Sequence, residues 1–320
     1  MNRTTTLNQA FDIIGDIHGH ATELEALLVQ MGYNEKLGHF SHPAGRKVVF
    51  LGDYIDRGPE IRRVLEIVRG MMDAGEAYGI MGNHEVNALL YHQLGEDGAP
   101  LRENENGNKK QHQETLDQVV NLDPEFWQDT LKWFRSLPMW LDLGGVRVVH
   151  ACWSEADLAI VANERPLGDE PLTDLQLGLI AGKKIGEFGG AVERLLSGPE
   201  LTLPEGQTFE AAGKERKEVR FRWWVDCEGL NSREVIFPED PNLKSFIIDQ
   251  DSGIPPFPSE APITFFGHYA VKETTPQSLL PNLACLDYGM GKGGQLVAYS
   301  WDGESDLNES KLTLAPVKIG

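Results

Sequence analysis

Cysteine is scarce: the 320 residues hold three, Cys152, Cys227 and Cys285, at no paired spacing. That excludes a disulfide framework and points to a reducing, cytoplasmic setting. Long apolar runs are lacking as well. No stretch approaches the roughly 20 apolar residues of a membrane-spanning helix, and the polar segment Met1 to Gln9 has none of the apolar run of a secretory signal. Positive charge is short too: 29 Lys and Arg stand against 49 Asp and Glu, a formal net charge of -20. Such a surface repels nucleic-acid backbones, which argues against broad DNA or RNA binding. A phosphorylated substrate is not excluded, because cations held in a cleft reverse the local sign. Internal repeats and low-complexity tracts are also missing. Apolar residues at 41% allow a sizeable core.

What is present begins with strands and helices in alternation. Phe11 to Ile14 reads as a short apolar strand. Thr22 with Glu25 forms a capping box, and Leu24, Leu27, Leu28 and Met31 follow at helical spacing. Lys47 to Leu51 is a second strand. Pro59 suits the first turn of a helix continued by Ile61, Val64, Leu65 and Val68. Ala77 to Met81 is a third strand, followed by a helix through Val86, Leu89 and Leu90. This β-α-β-α-β order predicts a parallel sheet with right-handed crossovers. Glu96 to Gln113, polar and rich in Asn and Gly, reads as a loop. Phe126 to Trp140 reads as a helix ending near Pro138, and Val146 to Val149 as another strand. No motif marks Trp153 to about Glu260. Within it the charge run Lys214 to Glu218 reads as an exposed face, and Trp223 and Trp224 as core. Strands resume at Ile263 to Phe266, Leu283 to Leu286 and Gln295 to Trp301.

Five short segments each follow a strand: Gly15-Asp16-Ile17-His18-Gly19, Gly52-Asp53-Tyr54-Ile55-Asp56-Arg57-Gly58, Gly82-Asn83-His84-Glu85, the His150 that ends a strand, and Gly267-His268. In open α/β sheets ligands bind at the carboxyl ends of strands, so segments far apart in sequence can converge there. The side chains so gathered are Asp16, His18, Asp53, Asn83, His150 and His268. Oxygen and imidazole donors without thiolate suit divalent manganese, iron or zinc. Six donors exceed the needs of one tetrahedral site and fit two metals sharing a carboxylate, an arrangement that activates water for attack on phosphorus. His84 is the candidate general acid for the leaving oxygen, with Asp56 to orient its ring. Arg57 offers a planar fork for phosphate oxygens. His20, His39, His42, His92 and His112 lie outside the strand-end pattern and read as solvated or structural.

These segments, in this order, resemble the calcineurin-like metallophosphoesterase superfamily. Within it they look most like the serine/threonine phosphoprotein phosphatase family and its bacterial relatives, through Asp53-x-x-Asp56-Arg57-Gly58. The resemblance implies an α/β fold, a β-sandwich of two mixed sheets flanked by helices, formed by residues 1–320 as a single domain. A family-specific middle region would occupy about 153–260. It also implies roles. Asp16 and His18 bind a first metal, Asp53 bridges, and Asn83, His150 and His268 bind a second. His84 and Asp56 form the acid pair. Arg57, Arg222 and Asn83 contact phosphate, with Arg220 open as the alternative to Arg222. The two divalent ions are expected to be manganese first, with iron, zinc or nickel also accepted.

Cys285-Leu286-Asp287-Tyr288-Gly289 with Gly293-Gly294-Gln295-Leu296, and Gln111-His112-Gln113-Glu114-Thr115-Leu116, resemble bacterial diadenosine tetraphosphatases. Those relatives usually have Gly-His-Thr-Pro where this chain has Gly267-His268-Tyr269-Ala270. The expected function is a cytoplasmic, metal-dependent phosphatase, attacking phosphomonoesters directly with a hydroxide that bridges the metals. Phosphoserine or phosphothreonine in protein is the expected substrate class and a nucleotide anhydride the alternative. A catalytically inactive regulatory module is the third reading, and the intact ligand set weighs against it.

Overall fold

The computed structural model describes residues 9–104, 106–182, 187–211, 214–240, 242–249 and 253–316. Met1 to Asn8, part of the segment read for a secretory signal, lie outside them.

Two sheets form the centre. The Phe11–Ile14 strand pairs in parallel with Lys47–Phe50, which pairs in parallel with Ala77–Gly79. On its other side Phe11–Ile14 meets Gln295–Trp301 antiparallel, and that long strand carries Asp287–Tyr288 and Leu312–Leu314. This makes a six-stranded mixed sheet. The second sheet has four strands in the order Leu283–Cys285, Ile263–Phe266, Val146–Val149 and Trp140–Asp142, of which the last is antiparallel.

Side chains alternate across each strand, and the alternation sorts the core. Phe11, Ile13 and Val49 point to one side, where they meet Val146, Val148, Ile263 and Phe265 of the second sheet. Ile14, Val48 and Phe50 point to the other, against Leu24, Leu27 and Leu28 of the Ala21–Gln30 helix and Val64, Val68 and Met71 of Ile61–Asp73. On the far side of the second sheet, Val149 and Phe266 pack with Leu195, Leu196, Trp223 and Trp224. The result is the expected sandwich flanked by helices. Each such side chain stabilises it by about 1.5–3 kcal/mol.

Several elements differ from the sequence reading. Asn106–Thr115, read as part of a loop, is a helix that runs on through one wide turn, Leu116–Val120. Its buried side chains, His112 and Thr115, are polar, so no apolar stripe marked it. The helix read to Trp140 is Pro124–Ser136. Pro138 disfavours helical backbone at Leu137, which is extended, and Trp140 opens a strand. Thr22 and Glu25 form no capping box. The helix begins at Ala21, and both the Thr22 N–H and its hydroxyl donate to Glu60 at 2.8 Å. The described part of the middle region holds the helices Glu155–Glu164, Asp174–Gly182, Phe188–Ser197 and the short Ser232–Val235, with the strand pairs Glu200–Thr202 with Glu218–Arg220 and Phe209–Ala211 with Lys214–Arg216. The three cysteines are buried and form no disulfide. Among the described residues no helix is long and apolar enough to cross a membrane.

One polar residue sits deep in this scaffold. Asp12 is fully buried. Its carboxylate accepts bonds from Arg46 Nε and Nη2 at 2.9 Å each, from the Tyr33 hydroxyl at 2.8 Å and from Ser300 at 2.6 Å. Arg46 also reaches Asp302, so the cluster ties the first strand to the far end of the chain. Removing one partner of a buried pair leaves the other uncompensated. Asp12→Ala is expected to lower the unfolding free energy by about 3 kcal/mol, read from urea unfolding; a loss under about 1 kcal/mol contradicts this role.

Candidate metal centre

The five segments arrive at the carboxyl ends of strands from both sheets. Asp16 and His18 follow Phe11–Ile14, and Asp53, Asp56 and Arg57 follow Lys47–Phe50. Asn83 and His84 open the Asn83–His92 helix just after Ala77–Gly79, while His150 and His268 follow the paired strands Val146–Val149 and Ile263–Phe266. The turns that bring them in are strained. Of the six non-glycine residues at positive φ among the described residues, five are His18, Asp53, Asp56, Arg57 and His268. Such conformations cost on the order of 1–3 kcal/mol each and persist only where the surroundings impose them. Two glycines leave room for the carboxylates: a Cβ on Gly82 would lie 2.3 Å from Asp53 Oδ1, and one on Gly267 2.0 Å from Asp16 Oδ1.

Asp53 occupies the middle. Its Oδ2 is 3.4 Å from His18 Nε2 and 3.9 Å from His84 Nε2, and its Oδ1 is 3.3 Å from His150 Nε2. The Asn83 side-chain oxygen lies 2.9 Å from His268 Nδ1 and 3.1 Å from His150 Nε2. Outer hydrogen bonds set the rings. His18 Nδ1–H donates to the Ile55 carbonyl at 3.0 Å and His150 Nδ1–H to the Leu51 carbonyl at 2.7 Å. Each neutral ring therefore turns a bare Nε2 inward, as metal-ligating histidines do. Asp16 Oδ2 accepts the His268 N–H at 3.0 Å, and its Oδ1 is buried without a partner. His18, Asp53 and His84 form one group with donor atoms within 4.8 Å of one another, and Asp53, His150 and His268 form a second. Convergent lone pairs and an orphaned carboxylate oxygen fit divalent cations.

The electrostatics say the same. Burial and the neighbouring Asp287 raise the Asp16 pKa well above its usual value. Burial opposes charge on His150, but Asp53 and Asp16 outweigh it and raise its pKa to about 10. Burial and His84 lower His18 to about 3, and burial and Arg220 hold His268 well below its ordinary range. By itself, then, the protein answers the crowded carboxylates with a proton on His150, the place a cation takes over.

His84 stands beside this centre. Its Nδ1–H donates to Asp56 Oδ2 at 2.5 Å, and its Nε2 lies 3.3 Å from Arg57 Nη2 and 3.2 Å from Gln111 Nε2. Burial works to raise the Asp56 pKa, yet bonds from His112 and His84 hold it well below the carboxylate range. His112, read above as solvated or structural, is buried with Nδ1 2.8 Å from Asp56 Oδ1, and the Thr115 hydroxyl donates to the same oxygen at 2.5 Å. The Gln111-to-Leu116 resemblance was its only signal. Asp287 and Glu85 also went without a role in the sequence reading. Asp287 is buried near Asp16 and Asp53. Glu85 accepts the N–H groups of Asp53, Tyr54 and Gly82 at 2.8–2.9 Å and so fixes the Asp53 loop.

Arg222 and its alternative Arg220 lie in different surroundings. Its guanidinium bonds the Glu234 carbonyl and Glu239, both at 3.2 Å, on an outer segment. Arg220 instead lines the same cavity as His268, lies over the Tyr269 ring at 5.6 Å, and leaves its buried Nε unpartnered.

The family model for calcineurin-like phosphoesterases matches residues 10–175, just over half of the chain. The chain belongs to the calcineurin-like phosphoesterase family. Over 85 residues it is 44% identical to a bis(5'-nucleosyl)-tetraphosphatase PrpE of Halalkalibacterium halodurans, covering 27% of this chain and 34% of that protein. Over 73 residues it is 47% identical to the PrpE of Oceanobacillus iheyensis, covering 23% and 29%. The chain thus spans about a third of the length of these curated relatives. The crystal structure of a cold-active protein-tyrosine phosphatase of the psychrophile Shewanella sp. shares the fold, with TM-score 0.50 and 15% identity over 99% of this chain and 83% of that one. In this phosphoesterase-family chain the matched segment holds every expected ligand except His268, which comes from beyond it.

Two results are expected. Asp53→Ala loses both cations, measured as metal content after reconstitution with manganese, whereas His84→Ala keeps about two per chain; two cations retained by Asp53→Ala contradict the shared-carboxylate geometry. The raised His150 pKa means that below about pH 10 a cation displaces a proton there, so binding tightens as pH rises. Calorimetry at pH 7.5 in buffers of different ionisation enthalpy should show about one proton released at this site; none released contradicts it.

Proposed function

We propose that this chain hydrolyses phosphate esters at a centre holding two divalent cations. The observation that carries this reading is the position of Asp53, common to the donor groups His18–Asp53–His84 and Asp53–His150–His268, with His84 held in turn by Asp56. Asp16, His18, Asp53, Asn83, His150 and His268 would hold the cations, manganese being the first candidate among manganese, iron, zinc and nickel. When bound, the cations would lower the pKa of a water and neutralise charge on the phosphoryl group.

The chain's own residues do the rest. Arg57 and Arg220 orient the phosphoryl oxygens. His84 Nε2–H gives its proton to the leaving oxygen. Asp56 fixes the ring through Nδ1–H and stabilises the imidazolium before transfer. His112 and Thr115 occupy the other carboxylate oxygen of Asp56 and keep it from turning. Cysteines without disulfides suit a reducing cytoplasm.

Phosphomonoesters, phosphoserine or phosphothreonine among them, are the substrate class taken first. A nucleotide anhydride is the second reading, favoured by the 44% identity over 85 residues to a bis(5'-nucleosyl)-tetraphosphatase. Hydrolysis rates on aryl phosphates of graded leaving-group pKa test the mechanism. His84→Gln should lower kcat by about 10²–10⁴ on poor leaving groups and little on 2,4-dinitrophenyl phosphate; an equal loss on both contradicts the acid role. Arg220→Ala should raise KM about tenfold, as expected for a lost charged hydrogen bond, while Arg222→Ala leaves it within about twofold.

A further inference from the structure

Among the cations not yet placed, Lys292 is carried by a turn that touches the centre. The Met290–Lys292 turn closes over the metal centre: a Cβ on Gly291 would stand 2.5 Å from both His18 Cδ2 and Arg57 Cδ. Left-handed Gly289 and Gly293, at φ 73° and 82°, bracket the turn. The Lys292 and Gly294 N–H groups both donate to the Gly289 carbonyl at 2.8 Å. The turn is therefore fixed, and it places Lys292 next to the site.

Lys292 is exposed to solvent. Loss of solvent around its ammonium, then Arg57 and Arg220, disfavour its charge, while Asp287 and Asp16 favour it. Yet among the described residues no carboxylate lies within ion-pair distance of its ammonium or of Arg220, in a chain of net charge -20. Like charges near one another repel, and an anion among them relieves the repulsion. A cavity of about 550 Å³ runs outward from His268 past Arg220 and Lys292, walled by Phe237, Tyr288 and Gln295. That is the size of a whole small-molecule site, more than one phosphoryl group needs.

We propose that Lys292 binds a second phosphoryl group of the substrate, adjacent to the one at the metal centre, so that the cavity takes the remainder of a molecule such as a nucleoside diphosphate. This rests on the phosphoesterase reading for the first phosphoryl group, but its test is a binding measurement that needs no turnover. Adenosine monophosphate and adenosine 5'-(α,β-methylene)diphosphate are titrated calorimetrically into the manganese-loaded full chain. The diphosphate analogue should bind at least about tenfold tighter than the monophosphate. Lys292→Met should erase most of that ratio and Lys292→Arg should keep it. A ratio that survives Lys292→Met overturns the proposal, as does a loss of both ligands in equal proportion, which would place Lys292 on the first phosphoryl group. A phosphoserine peptide flanked by aspartates is the third ligand. Dependence on Lys292 for the peptide alone would make the occupant a carboxylate and also overturn the proposal. A Lys292-dependent ratio without hydrolysis of any ester would leave this subsite standing and sink the phosphoesterase reading; hydrolysis with no such ratio would do the reverse.

Discussion

Three buried carboxylates, Asp16, Asp53 and Asp287, share one low-dielectric space, and the rest of the centre is arranged around their repulsion. Burial alone pushes each toward its neutral form. Asp53 resists because three imidazoles surround it, and its pKa is held well below the usual value by His150 and His84 against that burial. Such a cluster is costly in an apoprotein and natural around divalent cations. Everything nearby reads as support for it. Glu85 gathers three backbone N–H groups to hold the Asp53 turn, and the Leu51 and Ile55 carbonyls aim two rings inward.

The scaffold explains how the chain tolerates this. Both sheets end their parallel strands at the same edge, and the left-handed residues lie in the turns that leave those ends. The strain of five non-glycine residues at positive φ is borne by a sandwich core in which Phe11, Ile13, Val146, Val148, Ile263 and Phe265 are at most 1% exposed. The Asp12–Arg46 cluster locks the first strand from behind. The acid pair hangs on a separate support, since Asp56 is fixed by a helix and a turn that contribute no metal donor.

Much of this was legible in sequence, for a physical reason. Strand-end motifs combine an apolar run of four or five residues with glycine and a donor side chain, all within one short segment. Phe11–Ile14, Val146–Val149, Ile263–Phe266 and Gln295–Trp301 accordingly have the boundaries that their patterns gave. What was hidden depended on distant partners. His112 lies on a helix whose polar face meets Asp56, and polarity without periodicity reads as loop. Arg220 and Arg222 are two residues apart, and only the capture of Arg222 by Glu239, a partner from a later turn, separates their roles. Thr22 looked like a cap until Glu60, brought in by the following crossover, took both its donors. Lys292 carried no signal at all, because the turn that aims it is defined by glycines and by what they touch.

The central claim is that Asp53 is shared between two cations. Anomalous X-ray diffraction from crystals grown with manganese tests it directly. The account predicts two peaks about 3.5–4 Å apart, one toward His18 and Asp16, the other toward Asn83, His150 and His268, with Asp53 between. A single peak, or two peaks that leave Asp53 out, would contradict it.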